Sequence, residues 1–443
     1  MQNSVKSAPV AVAASEVRQL VDENPCLDLI PELRSIDDAL TIMECIPDEC
    51  PLEWAVTDAD LQIPTFERAR LAYDLVAAVR ESAAERDLSS PEFRSKTISA
   101  AELINHLTNR HGHTLPAASI TVTNAAPRGF FVIVPAGTGQ RALRRAVERC
   151  FGTEPKSIDL RLPDGGSIRF ARLPTLCIPF PANGSLRSFA KAFVARFDGA
   201  MQTRFSERAR GPLHRGEQDI NAAIQAFAIA ANLGLLIVEQ INTRDAQGGP
   251  AAVLWDTLSQ FTSATGIPVL CLATPGAAAA LSEQSGAISA LASTSAYHIP
   301  PVEPDSELWL TLAVYLYQRH LSSLLSAEAP EWFSVCLWRA TLGHTELAAK
   351  VCTHVASVLG KAGTVELSEK AFLKYADDAL ILERPHLNAV ERLQRGGRFT
   401  ATSIRRHGDW LPLRAVMRSV PGLDEQDSRK KIADVQVAGG HDD

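Results

Sequence analysis

Val134-Pro135-Ala136-Gly137-Thr138-Gly139-Gln140-Arg141 is the stretch on which the fold of this 443-residue chain turns. A strand-like apolar run, Gly129-Phe130-Phe131-Val132-Ile133-Val134, leads into it, and a helix-like run, Ala142-Leu143-Arg144-Arg145-Ala146-Val147, leads out. Strand, glycine turn and helix in that order match a phosphate-binding loop, whose usual pattern is G-x-x-x-x-G-K-[ST]. The glycines let backbone N–H groups wrap phosphates, the lysine neutralises the terminal phosphates, and the hydroxyl holds Mg²⁺. Here Gly137 and Gly139 remain, but Gln140 stands at the lysine position and Arg141 at the Ser/Thr position. Val134 replaces the first glycine and makes the turn less permissive. The loop can keep its shape, but it has lost its charge and its metal ligand.

Length alone predicts two or three domains. A hydrophobic content of 46% beside 21% charged residues belongs to a globular chain, and the net charge of −7 argues against wholesale coating of nucleic acid. The charge is unevenly spread. Asp22 to Asp60 holds twelve Asp/Glu and one arginine, whereas Arg392 to Lys431 holds ten Lys/Arg against four Asp/Glu. Such asymmetry fits different partners at the two ends, or solvated surfaces. No apolar run reaches the roughly 18 residues that span a bilayer. The start lacks a signal-peptide pattern, so no membrane partner and a cytoplasmic location are expected. The eight cysteines are scattered without a CxxC pair and read as reduced, buried thiols. His111 and His113 have no nearby carboxylate or thiol cluster, and no metal site is read there.

The patterning divides the chain into five parts: a small, polar, frayed segment (1–21), a helical region (22–125), an α/β core (126–301), a helical lid (302–395) and a basic tail (396–443). In the second part, Pro31 to Cys45 and Phe66 to Ala84 carry apolar residues at helical spacing. From Gly129, short apolar strands alternate with helices, which implies a parallel sheet with both faces covered. The expected strands are Phe130–Val134, Leu176–Pro179, Leu235–Glu239, Pro268–Ala273 and Tyr297–Pro300, with helices over 140–151, 185–201, 217–232, 250–265 and 277–292. Amphipathic helices then follow over Leu308–Leu325, Pro330–Thr341, Glu346–Leu359 and Ser368–Ala376. A P-loop α/β core with a small helical lid behind it is the AAA+ layout.

Several further blocks carry a resemblance. Leu233-Gly234-Leu235-Leu236-Ile237-Val238-Glu239-Gln240-Ile241-Asn242 looks like a Walker B strand. Gly266-Ile267-Pro268-Val269-Leu270-Cys271-Leu272-Ala273-Thr274-Pro275 looks like a sensor-1 strand. Asn183-Gly184-Ser185-Leu186, Thr341-Leu342-Gly343-His344-Thr345-Glu346-Leu347-Ala348 and the opening Asn24-Pro25-Cys26-Leu27-Asp28 complete the set. In order and spacing they resemble the helper ATPases of transposons, AAA+ proteins of the TniB/TnsC type, over roughly residues 23–395.

The resemblance implies a nucleotide site made of Gly137, Thr138, Gly139, Gln140, Arg141, Glu239, Gln240 and Thr274. Within it Glu239 matches the acid that orders Mg²⁺, and Gln240 matches the catalytic glutamate but cannot take a proton from water. Thr274 keeps the sensor-1 hydroxyl. Between Arg244 and Arg319 there is no Lys or Arg, so that segment supplies no arginine finger. Phosphoryl transfer is mostly positioning and charge stabilisation, and a finger alone is worth about 10³–10⁵ in rate. Concordant losses of the P-loop lysine, the metal hydroxyl, the catalytic glutamate and the finger therefore predict a degenerate member without ordinary ATP hydrolysis and with no catalytic residue. ATP and Mg²⁺ binding stays open: backbone N–H groups at a helix N-terminus favour anions, whereas Arg141 fits either the phosphate pocket or a pair with Glu239.

By the same resemblance the chain would link target DNA or a target-selector protein to a transposase, as a homo-oligomer or with an active paralogue. Two alternatives stand beside this reading: a slow ATPase regulating transposition, and an AAA+-like interaction module unrelated to it. Arg204, Arg208, Arg210, Arg215, Arg405 and Arg406 are the candidate contacts to duplex DNA, since clustered cations neutralise phosphates. A solvated surface is the other reading of those arginines. Trp410-Leu411-Pro412-Leu413 within the basic tail suggests either a docking motif for a partner or a local helix packed on the lid.

Overall fold

The structure, a computed structural model, describes residues 19–20, 24–44, 65–108, 121–122, 125–161, 166–208, 217–326, 328–362 and 366–418. The N-terminal part supplies β1 (Gln19–Leu20), α1 (Ile36–Met43), α2 (Phe66–Glu85) and α3 (Pro91–Thr108). The α/β part begins with β2 (Gly129–Ile133), α4 (Gln140–Phe151), β3 (Lys156–Arg161), β4 (Ser167–Arg172) and β5 (Thr175–Pro179). It continues with α5 (Leu186–Met201), α6 (Phe205–Arg208), α7 (Glu217–Ala230), β6 (Leu235–Ile241) and α8 (Gly249–Thr265). Then come β7 (Val269–Ala273), α9 (Pro275–Ser282), α10 (Ser285–Leu291) and β8 (Tyr297–His298). Next are α11 (Glu307–His320), α12 (Trp332–Thr341), α13 (Thr345–Ala362), α14 (Glu369–Ala379) and α15 (Arg384–Gln394). Two short helices, α16 (Ala401–His407) and α17 (Leu413–Met417), come last among the described residues.

β2 and β7 are buried at every position, as continuous apolar strands covered on both faces must be. They pair in parallel, Gly129 opposite Val269 through Ile133 opposite Ala273, and β8 pairs on the other side of β2. The five-stranded sheet runs β5-β6-β7-β2-β8. Numbered by their order in the chain, the sheet strands therefore lie 2-3-4-1-5. This strand order, with a glycine loop after the first of these strands and a helical lid after the last, is the architecture of an AAA+ P-loop core.

Two apolar clusters hold the described residues together. The first joins α1, α2 and α3 to the sheet and its flanking helices without a break. Polar contacts tie the same parts together: Ser82 Oγ donates to the Gly266 carbonyl at 2.6 Å, Tyr297 Oη donates to Asp74 Oδ2 at 2.5 Å, and Arg128 forms an ion pair with Glu85 at 2.6 Å. The second cluster is built by α11 to α15 around Trp309, Tyr317, Phe333 and Phe372, and it takes in Leu411 and Val416 from the C-terminal segment. Ser35 starts α1 with a capping box, its Oγ accepting from the Asp38 amide while Asp38 accepts from the Ser35 amide.

Some elements differ from expectation. β3 and β4 form an antiparallel hairpin that the patterning did not predict, because Lys156-Ser157-Ile158-Asp159-Leu160-Arg161 alternates polar with apolar residues rather than forming an apolar run. Gln19 and Leu20, expected in a frayed segment, pair in parallel with Asp159 and Leu160 at its edge. The predicted helix over 277–292 is broken near Glu283–Gln284 into α9 and α10. The expected reach of a helix to Cys45, and the pair His111 and His113, lie outside the described residues. Burial pushes the Cys150 and Cys271 thiols up to about 12. No described helix is long and apolar enough to cross a membrane.

Candidate functional site

The glycine loop leaves β2 at the carboxyl end of the sheet, where ligands of open α/β sheets bind. Val134, just past the end of β2, is still tied to the sheet by its amide, which donates to the Ala273 carbonyl at 2.8 Å. The chain then turns through Gly137 at φ 75° and Gly139 at φ 89°, left-handed conformations that glycine takes at low cost. Gly139 caps α4 without a side-chain hydrogen bond. A Cβ on Gly137 would lie 3.0 Å from Leu347 Cγ and 3.3 Å from Trp410, and one on Gly139 would lie 3.2 Å from Thr345 Oγ1. Other parts of the chain therefore come close to both glycines, and Gly139 is buried.

The start of α13 is bonded directly to the loop. The Glu346 amide donates to the Gly137 carbonyl at 3.0 Å, and Thr345 Oγ1 donates to the Thr138 carbonyl at 3.2 Å. Arg68, from α2, reaches the same carbonyl at 3.4 Å. Just before α13, His344 Nδ1 lies 2.9 Å from the Ala136 carbonyl and 3.1 Å from Thr138 Oγ1. A carbonyl can only accept, so Nδ1 carries the proton and the other ring nitrogen is bare. Nε2 is buried without a hydrogen-bond partner, and desolvation lowers the His344 pKa to about 4. The imidazole is neutral and fixed in one tautomer between lid and loop.

The acid matched to Walker B is already paired. Glu239 Oε2 meets Arg144 Nε at 2.8 Å, and Arg144 Nη1 meets Glu148 at 2.5 Å. Arg144 is desolvated, but the two carboxylates outweigh that and raise its pKa. Arg141, read as filling the phosphate pocket or pairing with Glu239, is exposed at the start of α4 and acts electrostatically on Glu346. One helical turn separates positions 140 and 144, so the cation that meets Glu239 sits a turn deeper than the motif places it. Gln140 has a buried Nε2 without a hydrogen-bond partner. Gln240 is exposed, with φ 61°, in an irregularity of β6 between Val238 and Ile241.

Thr274, at the end of β7, caps α9 and is occupied by a residue that no motif indicated. Asp409 Oδ1 accepts from Thr274 Oγ1 at 2.5 Å, from Thr243 Oγ1 at 2.6 Å and from the Thr243 amide at 2.8 Å. The Asp409 carbonyl takes the Ala136 amide at 2.8 Å. Next to it, the Trp410 ring stacks on His386, with centroids 5.2 Å apart and planes 17° apart, and tilts against His344 at 5.6 Å. His386 is held in turn by His407, Nδ1 to Nδ1 at 3.0 Å. Leu411 is fully buried, and α17 packs on α9. Of the two readings of Trp410, packing against the lid is the one the geometry supplies, with contact to the loop in addition. Only the apolar run beside a tryptophan in a basic tail could have pointed to this segment. The aspartate had no signal at all.

The residues matched to the nucleotide site thus divide. Gly137, Thr138, Gly139 and Thr274 share one place at the carboxyl edge of β2 and β7. Glu239 is bound into the Arg144 and Glu148 group, and Gln240 faces solvent. This donor set does not fit a magnesium nucleotide: the carboxylate for the metal is neutralised by a fixed arginine, and the sensor hydroxyl is spent on an internal carboxylate. Among the described residues no group of three His, Cys, Asp or Glu side chains gathers to hold a metal ion.

The arginines proposed for DNA lie on separate elements. Arg204 is exposed before α6, Arg208 ends α6, and Arg405 and Arg406 are exposed in the last turn of α16. Arg210 and Arg215 lie outside the described residues.

No protein-family model matches the chain, and no curated protein matches it. Among solved structures it is similar to the ORC2 protein of Aeropyrum pernix in ADPNP and ADP complexes. That likeness has 15% identity, covers 67% of this chain and 71% of the other, and has a TM-score of 0.36.

Proposed function

We propose that this chain is an AAA+ adaptor that works by binding partners and does not hydrolyse ATP. The observation that carries the reading is the Arg144–Glu239 pair at 2.8 Å, which removes the one carboxylate matched to metal binding. Loss of the loop lysine at Gln140 and of the catalytic glutamate at Gln240 points the same way. A base is needed at that last position, and glutamine cannot accept the proton.

The finer reading, a role in DNA transposition between target DNA or a target selector and a transposase, rests on the blocks that resemble transposon helper ATPases. Each of these blocks also has a structural role in the fold. Gly343, at φ 78°, passes so close to the Val302 carbonyl that a Cβ would lie 2.0 Å from it, and the His344–Leu347 segment after it touches the glycine loop. Gly184 is similarly pressed on the Ala251 backbone, at 2.4 Å from an added Cβ. Asn24 receives the Cys26 amide and donates to the Ala83 carbonyl, which anchors the opening block to α2. Exposed Arg405 and Arg406 are the contacts to duplex DNA in this reading.

The test is ATP hydrolysis by the purified chain with and without duplex DNA. The adaptor reading predicts the same background for the wild type and for Gln240→Ala under both conditions. Turnover stimulated by DNA and abolished by Gln240→Ala sinks it.

A further inference from the structure

The contacts at the carboxyl edge of β2 and β7 converge on residues 408–411 of the same chain. From Asp409 they take a carboxylate oxygen with three donors on it, two of them hydroxyls at the ends of β6 and β7. From the backbone they take a carbonyl on the first amide of the glycine turn. From Trp410 they take a flat ring stacked on His386 of α15, tilted against His344 and 3.3 Å from where a Cβ on Gly137 would lie. Trp410 also lines two cavities, one of about 550 Å³ with Pro135, Pro300, Trp338 and Val390, the other of about 800 Å³ with Gly137, Leu347, Lys350 and Glu383. The segment therefore crosses the cleft between the sheet and the lid and lies against both walls.

We infer that residues 408–411 are a tethered ligand of the glycine loop. The Asp409 carboxylate takes the sensor-side contacts that a phosphate of a bound nucleotide would take, and the Trp410 ring holds the lid shut. Lid closure is then a property of the chain and independent of nucleotide; in this the inference rests on the adaptor reading above. An anion at that place is favoured by hydroxyl and amide donors whether it is a phosphate or a carboxylate. A carboxylate on the same chain has a far higher local concentration than a free ligand. The lid is bonded to the loop by Glu346, Thr345 and His344, and the segment braces that junction from the open side.

Hydrogen exchange on the full chain tests this, comparing wild type with Asp409→Asn, Asp409→Ala and Trp410→Ala. Peptides over 129–142 and 345–362 should lose protection by about tenfold or more in Asp409→Ala and Trp410→Ala, and by less in Asp409→Asn, while α7 keeps its protection. Unchanged protection at the loop and lid overturns the inference. So does a loss that extends equally to α7, because Asp409 would then be an ordinary support of the whole core. A second arm uses inorganic pyrophosphate as the probe. Asp409→Ala should bind it about tenfold more tightly than wild type, through the vacated donors; no gain overturns the assignment of the carboxylate to a phosphate position. ATP turnover by the wild type would remove the adaptor reading, whereas these two arms judge the tethered ligand by itself.

Discussion

His344 sits where lid and glycine loop meet, and its surroundings set its charge. Burial holds its pKa at about 4, against 6.5 for an exposed histidine. The neighbouring pair follows the same direction: desolvation is the largest cause lowering both His386 and His407, with Arg406 adding to it and Asp409 and Glu383 opposing it at His386. The sign follows from linkage. The unfolded chain takes up these protons before the folded chain does, so the stability they contribute is complete above about 6.5 and falls as the pH drops towards 4. His344 alone accounts for about 3 kcal/mol across that window, as an order of magnitude. Urea denaturation at pH 7 and at pH 4.5 should show the loss. In His344→Asn, which keeps a donor near the Ala136 carbonyl but does not titrate, the difference between the two pH values should shrink by most of that amount. Arg144 makes a second case. Arg144→Ala leaves Glu148 and Glu239 facing each other, both about 14% exposed, and should cost about 2–4 kcal/mol in urea denaturation. Adding Glu239→Gln should recover part of it, which a purely steric role for Arg144 would not allow.

At the scale of elements, the sheet was legible because its strands are unbroken apolar runs, and burial on both faces requires such runs. Phe130–Val134, Leu235–Glu239 and Pro268–Ala273 needed no more than that. The β3–β4 hairpin was not, since Asp159 and Arg169 pair across it and disguise a half-buried ribbon as a charged loop. The helices after residue 396 are short and basic and carry little periodic signal. Asp409 depends on partners 135 and 166 residues away in sequence, and no local pattern encodes that meeting. The loop glycines were legible as a motif and the helical lid as a pattern, but the bonds that join the two were not. The junction between lid and core makes a prediction of its own. Gly343→Ala combines a left-handed φ with a Cβ 2.0 Å from the Val302 carbonyl, so it should cost about 3 kcal/mol or more. Thermal denaturation should register this as a large drop in Tm, whereas Gly360→Ala, with open space around it in α13, should be neutral or slightly stabilising.

Across the described residues, an AAA+ core is joined at its glycine loop and at the ends of β6 and β7 by Asp409 of the same chain. The triple change Gln140→Lys, Arg141→Thr and Gln240→Glu would rebuild the nucleotide motif, and on the motif alone it would be expected to bring back nucleotide binding. The Arg144–Glu239 pair and the Asp409 contacts change that expectation. The triple variant should still fail to bind, and only its combination with Asp409→Ala and Arg144→Ala should gain calorimetric affinity for ATP. Recovery by the triple variant alone would mean that the internal groups yield to nucleotide. The central claim, that this fold has exchanged its nucleotide for internal contacts, is tested most directly by titrating magnesium–ATP into the wild-type chain in a calorimeter. The account predicts no saturable heat up to millimolar nucleotide; a saturable isotherm with one site per chain would contradict it.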